Sequence, residues 1–185
     1  MTATARTVSI EPLHALSKLG AAGWLVGGAV RDQLLGRCTH DFDVAVAGET
    51  RGLARALARM TSAHAFKLSE GFGAWRAVAR DRSWQVDLLP LNGRTIEDDL
   101  AARDLTINAI AQPLRGGEHV DPFGGREDLR ARRLRMVGAG AFAADPLRTL
   151  RLARLACELS FAVDPQTAAA ASASAHALDR VASER

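Results

Sequence analysis

The segment Asp41-Phe42-Asp43-Val44-Ala45-Val46 alternates strictly. Phe42, Val44 and Val46 fall on one side of an extended chain, and Asp41, Asp43 and Ala45 on the other. Such a run is stable only as a strand with one face buried and one open, so the chain must build a sheet whose open face carries two carboxylates. Their Cα atoms are about 7 Å apart, and the side chains can converge on a pair of cations about 3.5–4 Å apart. Hard oxygens in this pattern suit Mg²⁺, which takes one or two carboxylates and completes its shell with waters and substrate phosphates. Taken alone the pattern also describes an ordinary exposed strand face. The surrounding sequence decides against that.

Thirteen residues upstream, Gly27-Gly28 follows the apolar run Ala22–Val26 and opens the short helical stretch that Gly36 closes. A glycine pair between a buried strand and a helix presents backbone N–H groups and a helix start to an anion such as a triphosphate. Arg31, one turn into that helix, is placed to reach the phosphates. The alternative is a plain tight turn with Arg31 paired to Asp32. No G-x-G-x-x-G is present, which argues against a dinucleotide-binding fold. Asp87, in Trp-Gln-Val-Asp-Leu-Leu-Pro, is a third carboxylate on a strand that can lie beside the first. It can hold one metal and take the proton of an attacking hydroxyl, a role contributing about 10²–10⁴-fold, or be only an acid at a strand end.

The remaining pattern predicts a mixed α+β domain. A helix is expected over 8–19 with Gly20 as its C-cap, and another over 50–60 with Thr50 as its N-cap. Strands are expected near 64–68, 74–80, 84–89, 111–114, 118–120 and 133–137. Further helices are expected over 96–102, 104–110, 126–131, 145–159 and 165–182. In the 145–159 helix Leu147, Leu150, Leu155 and Leu159 are expected to be buried. The 185 residues suffice for one domain, or one plus part of a second. The boundary is expected at 140: a mixed domain over 1–140, then trailing helices over 141–185 that break off.

Composition excludes a few classes. There is no apolar run of about 18 residues and no signal-type N-terminus. Two cysteines make no disulfide framework, so a reducing, cytoplasmic setting is expected. The net charge of +3 is unremarkable. Its distribution is not: eight arginines against three acids lie between Arg126 and Arg154. That stripe suits a polyanion, although a solvated helix face has the same composition.

Four segments in order carry a resemblance to a known family. LVGGAVRDQLLGRCTHDFDVAVAG resembles the first motif of the bacterial class II tRNA nucleotidyltransferases and poly(A) polymerases, members of the DNA polymerase β nucleotidyltransferase superfamily. DDLAARDLTINAIA resembles that family's RRDFTINA motif, DPFGGREDLRARRLR its DPxxG…DL segment, and DPLRTLRLARLACELSFAVDP its EDxxR motif and the start of the neck. The resemblance implies a small mixed sheet flanked by helices, and template-independent addition of CMP or AMP to an RNA 3′ end, most directly that of tRNA. It implies two Mg²⁺ on Asp41 and Asp43, with Asp87 as third carboxylate, and the triphosphate on Gly27, Gly28 and Arg31. Arg103, Asp104 and Asn108 would handle ribose and phosphates. Asp145 and Arg148 would pair with the base edge of CTP or ATP, supported by Arg151 and Arg154. A carboxylate accepting from an exocyclic amine beside a guanidinium donating to ring acceptors is sound base-edge chemistry. The plain alternative is an i,i+3 surface salt bridge.

The chain departs from the family pattern at Ala102, where a second Arg is usual, at Leu105 for Phe, and at Ala144 for Glu. Only 16 residues separate Asp87 from Asp104. In this family a shortened loop there goes with enzymes that add CC and stop. The resemblance therefore leans to partial CCA addition. A poly(A) polymerase, or a nucleotide-binding head inactive without its helical body, is the alternative.

Overall fold

A computed structural model describes residues 11–69 and 71–180. The chain divides into two compact units. One holds the residues up to Asp99 together with Ala111–Val120, and the other Leu100–Ile110 together with the residues from Asp121 on. The segment around Asp104 thus goes with the C-terminal helices.

The first unit is a six-stranded sheet in the order β3-β4-β5-β2-β1-β6. Its strands are β1 (Gly23–Val26), β2 (Asp41–Val46), β3 (His64–Lys67), β4 (Trp75–Val78), β5 (Gln85–Pro90) and β6 (Ala111–Pro113). β2 and β5 are parallel, and every other pair is antiparallel. The alternation of β2 holds over its first four residues: Phe42 and Val44 are fully buried, Asp41 is exposed and Asp43 half-buried, while Ala45, expected on the open face, is buried as well. Val86 and Leu88 of β5 lie in register with Phe42 and Val44 and extend the apolar face. Helices α1 (Glu11–Lys18) and α3 (Thr50–Met60) supply Leu16, Ala54 and Leu57 to this core, and α2 (Gly28–Leu34) supplies Val30. Residues 8–10 of the first expected helix lie outside the described residues.

The cap of α3 is not Thr50. The Glu49 carboxylate accepts the Gly52 N–H at 2.6 Å, and the Thr50 hydroxyl donates to the Gly73 carbonyl at 2.6 Å. A long-range acceptor has taken the hydroxyl, and the preceding carboxylate meets the unpaired N–H groups of the helix start.

The second unit begins within α4 (Ile96–Ala101) and contains α5 (Gly125–Arg130), α6 (Ala141–Ala144), α7 (Leu147–Leu159) and α8 (Pro165–Ser174), with a two-stranded parallel ribbon of β7 (Arg133–Leu134) and β8 (Ala162–Val163). The helix expected over 104–110 does not form. The Thr106 N–H donates to the Arg135 carbonyl and the Val137 N–H to the Asp104 carbonyl, so the segment pairs sideways and keeps only a 3₁₀ turn at Thr106–Asn108. The helix expected over 145–159 forms as α7 and starts at Leu147, because Asp145, the residue before Pro146, is extended and closes α6. Its buried stripe is Leu152, Leu155 and Leu159, with Leu147 half-buried and Leu150 55% exposed. Leu150 lies two residues from Leu152 and so cannot share a face built on spacings of three and four. α8 opens on Asp164, whose carboxylate accepts the Thr167 N–H.

The DPFGG turn has a clear physical basis. The Asp121 carboxylate accepts the N–H groups of Gly125 and Arg126 at 2.7 and 2.9 Å and so closes the start of α5. A Cβ on Gly125 would lie 2.2 Å from the Thr106 carbonyl oxygen. Backbone cannot yield there as a flexible side chain can. Gly125→Ala is expected to cost about 2–3 kcal/mol or more, as overpacking does, seen as a lower urea midpoint. A cost under about 0.5 kcal/mol would refute the close approach.

Candidate active site

In the first unit the structure assembles one set of expected residues on one sheet face. Asp43 and Asp87 are Cα partners in the parallel pair β2–β5, and Asp41 partners Gln85 one pleat away. Val26, the last residue of β1, partners Asp43, so the Gly27-Gly28 turn leaves the sheet level with the carboxylates. Gly27 has φ +72° and ψ −141°, a conformation only glycine adopts without strain. Arg31, 7% exposed, folds back toward this turn, where a Cβ on Gly28 would lie 3.3 Å from its Nη2. Its guanidinium also forms a bidentate pair with Asp32, at 3.0 and 3.1 Å.

The carboxylates are held by partners the sequence did not single out. Gln85 Nε2 donates to Asp41 Oδ1 at 2.8 Å, and Thr39 and Asp41 are joined by side chain to main chain hydrogen bonds. Asp87 accepts two bonds from Arg76, at 2.6 and 2.7 Å. The Arg76 guanidinium is raised above its ordinary value, first by the hydrogen bond to Asp87 and then by the fields of Asp87, Asp41 and Asp43. One cation thus feels all three acids. The signal was present in Trp-Arg-Ala-Val and Trp-Gln-Val-Asp, where Arg76, Gln85 and Asp87 alternate with buried residues. Their meeting depends on strand order, which alternation does not contain.

Among the described residues, no group of three or more His, Cys, Asp or Glu side chains is arranged to hold a metal ion. Asp41 and Asp43 form a two-carboxylate set. Two hard oxygen donors on one sheet face, Asp41 exposed and Asp43 half-buried, fit Mg²⁺.

In the second unit Asp104 is buried. Its carboxylate accepts the Leu105 N–H at 2.8 Å, Asn108 Nδ2 at 3.3 Å and Arg151 Nη1 at 3.0 Å. Arg103 is half-buried beside it in sequence, and Arg154 is exposed on α7. The Asp145 carboxylate accepts the Leu147 N–H at 3.1 Å. Arg148 donates to the carbonyls of Ala102 and Ala141, at 2.8 and 3.1 Å. These two carbonyls hold its guanidinium, so an i,i+3 salt bridge is not what fixes Arg148.

A further buried acid was not anticipated. Asp128 has no exposed surface, and it accepts from the Thr106 hydroxyl at 2.7 Å, Arg133 Nε at 2.7 Å and Arg135 Nε at 2.9 Å. Burial pushes its carboxyl up, but these hydrogen bonds outweigh that and hold it below the usual carboxylate range.

A mixed sheet carrying paired carboxylates beside a glycine turn, with a helical unit after it, defines a nucleotidyltransferase head. Residues 23–135 match the poly A polymerase head domain, and the chain belongs to that family. It is 43% identical over 166 residues to a CC-adding tRNA nucleotidyltransferase of Geobacter sulfurreducens, covering 90% of this chain and 39% of that one. It is 50% identical over 149 residues to an A-adding tRNA nucleotidyltransferase of Deinococcus radiodurans, covering 80% of this chain and 32% of that one. In structure it is similar to the Thermotoga maritima CCA-adding enzyme complexed with tRNA, with TM-score 0.81 at 28% identity, covering 91% of this chain and 42% of that one. The chain spans about a third to two-fifths of the length of these curated relatives. Membership of the family implies dependence on a divalent metal. No helix among the described residues is long and apolar enough to cross a membrane.

Proposed function

We propose that this chain is the catalytic head of a template-independent nucleotidyltransferase that adds CMP, AMP or both to the 3′ end of tRNA. The observation that carries this reading is the register of Asp43 against Asp87, with Asp41 one pleat away and the Gly27-Gly28 turn level with them. The RNA 3′-hydroxyl attacks the α-phosphate in line, its oxygen bonds to phosphorus, and pyrophosphate leaves. Asp41 and Asp43 would hold two Mg²⁺. When bound, the ions stabilise the attacking and departing oxygens. Gln85 fixes the Asp41 carboxylate. Asp87 receives the hydroxyl proton after exchanging its bond to Arg76. The N–H groups after Gly27 and the Arg31 guanidinium bind the triphosphate.

Arg103, Asp104 and Asn108 handle ribose and phosphates, with Arg151 fixing Asp104, and Arg154 adds positive charge on the same helix. Asp145 and Arg148 select the base. Because its guanidinium is already oriented by two carbonyls, Arg148 presents its remaining donors at little entropic cost. A bidentate contact of this type is worth about 1–3 kcal/mol of discrimination. Arg148→Ala is therefore expected to reduce preference for CTP or ATP over UTP and GTP by about tenfold or more, measured by competitive incorporation. Unchanged selectivity would remove the residue from base recognition.

The direct test incubates the chain with Mg²⁺, labelled CTP or ATP, and tRNA ending at the discriminator base, at C or at CC. Addition of CMP that stops at CC defines a CC-adder. AMP on the CC end alone defines an A-adder, and long AMP tails a polyadenylating enzyme. Nucleotide binding without incorporation favours a second reading: a head that needs the segments present in its longer relatives, of which it spans about a third to two-fifths. Neither binding nor incorporation would overturn both.

A further inference from the structure

The face that carries the carboxylates does not stop at β5. Reading across the sheet in register, Asp43 is followed by Asp87, Arg76 and Phe66, and Asp41 by Gln85, Val78 and His64. Directly opposed residues point to the same side of a sheet, so β3, the edge strand, contributes Phe66 and His64 to the face of the acids. Three strand spacings put Phe66 about 14 Å from Asp43. Phe66 is 48% exposed, although an aromatic ring of its size usually gains by burial. It lines a cleft of about 740 Å³ with His64, His40, Arg80, Arg82 and Asp41. A volume of this order accommodates a nucleotide-sized ligand.

The chemistry of the cleft is specific. It offers the exposed ring of Phe66, a buried Trp84, two arginines and two histidines, and its single carboxylate is Asp41 at the catalytic end. Single-stranded nucleic acid is bound by this combination: cationic groups track the phosphates, and aromatic rings stack on bases. An apolar partner surface would leave the two arginines without counter-charge. We infer that Phe66, with His64, Arg80 and Arg82, forms a stacking platform for the nucleotides just upstream of the reacting 3′ end of a single-stranded RNA, leading that end to Asp41 and Asp43. The inference rests on the function proposed above and adds where the RNA terminus lies. Phe66 is a positioning residue, since it acts on nucleotides behind the reacting one.

The test uses a 5′-fluorescein single-stranded RNA octamer ending in CC, titrated with the 185-residue chain and followed by anisotropy. Stacking is worth about 1–3 kcal/mol per base, so Phe66→Ala is expected to weaken RNA binding by about tenfold. Phe66→Tyr, which keeps the ring, is expected to stay within about twofold. Mg·CTP affinity, measured by calorimetry, should not follow the RNA loss. Arg80→Ala with Arg82→Ala should flatten the salt dependence of RNA binding. An unchanged affinity for Phe66→Ala, an equal loss for Phe66→Tyr, or no RNA binding by the wild-type chain overturns the platform. The proposed function falls on a different result, the absence of both Mg·CTP binding and incorporation in the wild-type chain. An intact melting temperature for Phe66→Ala, expected from the exposure of the ring, keeps the comparison free of folding effects.

Discussion

Asp43→Ala is expected to lower nucleotide incorporation by at least about a thousand-fold. Metal stabilisation of the reacting oxygens is worth several kcal/mol, and about 4 kcal/mol corresponds to that factor. Asp43 lies between Val26 of β1, which has no oxygen donor in its side chain, and Asp87 of β5, whose two oxygens are already engaged by Arg76, so neither neighbour in register replaces its oxygens. Asp41→Ala should fall in the same range, because its partner Gln85 brings an amide and no charge. Stability should change by less than about 1 kcal/mol in either variant, since neither side chain is part of the apolar core. Two readouts separate the causes: labelled CMP or AMP incorporation reports the reaction, and Mn²⁺ binding followed by paramagnetic resonance reports the ligand set. A variant that keeps most of its incorporation, or one that loses incorporation yet binds Mn²⁺ as the wild type does, would sink the assignment of that carboxylate.

The second large effect is on folding. Asp128→Ala is expected to destabilise the chain by about 3 kcal/mol, the lower end for breaking a buried ion pair. Its partners justify the lower end: the Arg133 and Arg135 side chains are 42% and 37% exposed and can return to water. The Thr106 hydroxyl is fully buried and would lose its acceptor. The sign with pH is defined. The folded-state carboxyl lies below its unfolded value of about 3.9, so its contribution is complete above about pH 4 and is lost as pH falls through the folded value. The gap between wild type and variant, measured by urea unfolding followed by circular dichroism, should be constant from about pH 5 to 8 and close below about pH 4. A gap under about 1 kcal/mol at pH 7, or one that widens in acid, would contradict this account.

Asp87 and Asp128 show how differently two acids can be legible. Asp87 stands in an alternating run beside a second acid-bearing strand, so its side of the sheet was predictable and its neighbour was not. Asp128 stands in a charged stretch, Arg126-Glu127-Asp128, that has the composition of a solvated helix. Only the return of β7 beside α5 brings Arg133 and Arg135 to it. The expected helix over 104–110 failed for a related reason: its backbone groups found partners at Arg135 and Val137, about thirty residues away, which local propensity does not register.

The sequence by itself determined the half-buried strand β2 with its acids on one side, the glycine turn before α2, and the family to which the chain belongs. These depend on period-two alternation and on residues that hold their conformation locally, and such features survive in any linear reading. The tertiary structure decided that Asp43 faces Asp87, that Arg76 bonds the third carboxylate, that Arg148 is aimed by two carbonyls, and that Phe66 shares the face of the acids. Register and strand order join residues tens of positions apart. They are fixed by the burial of whole faces, a property of the assembled sheet that no single segment carries.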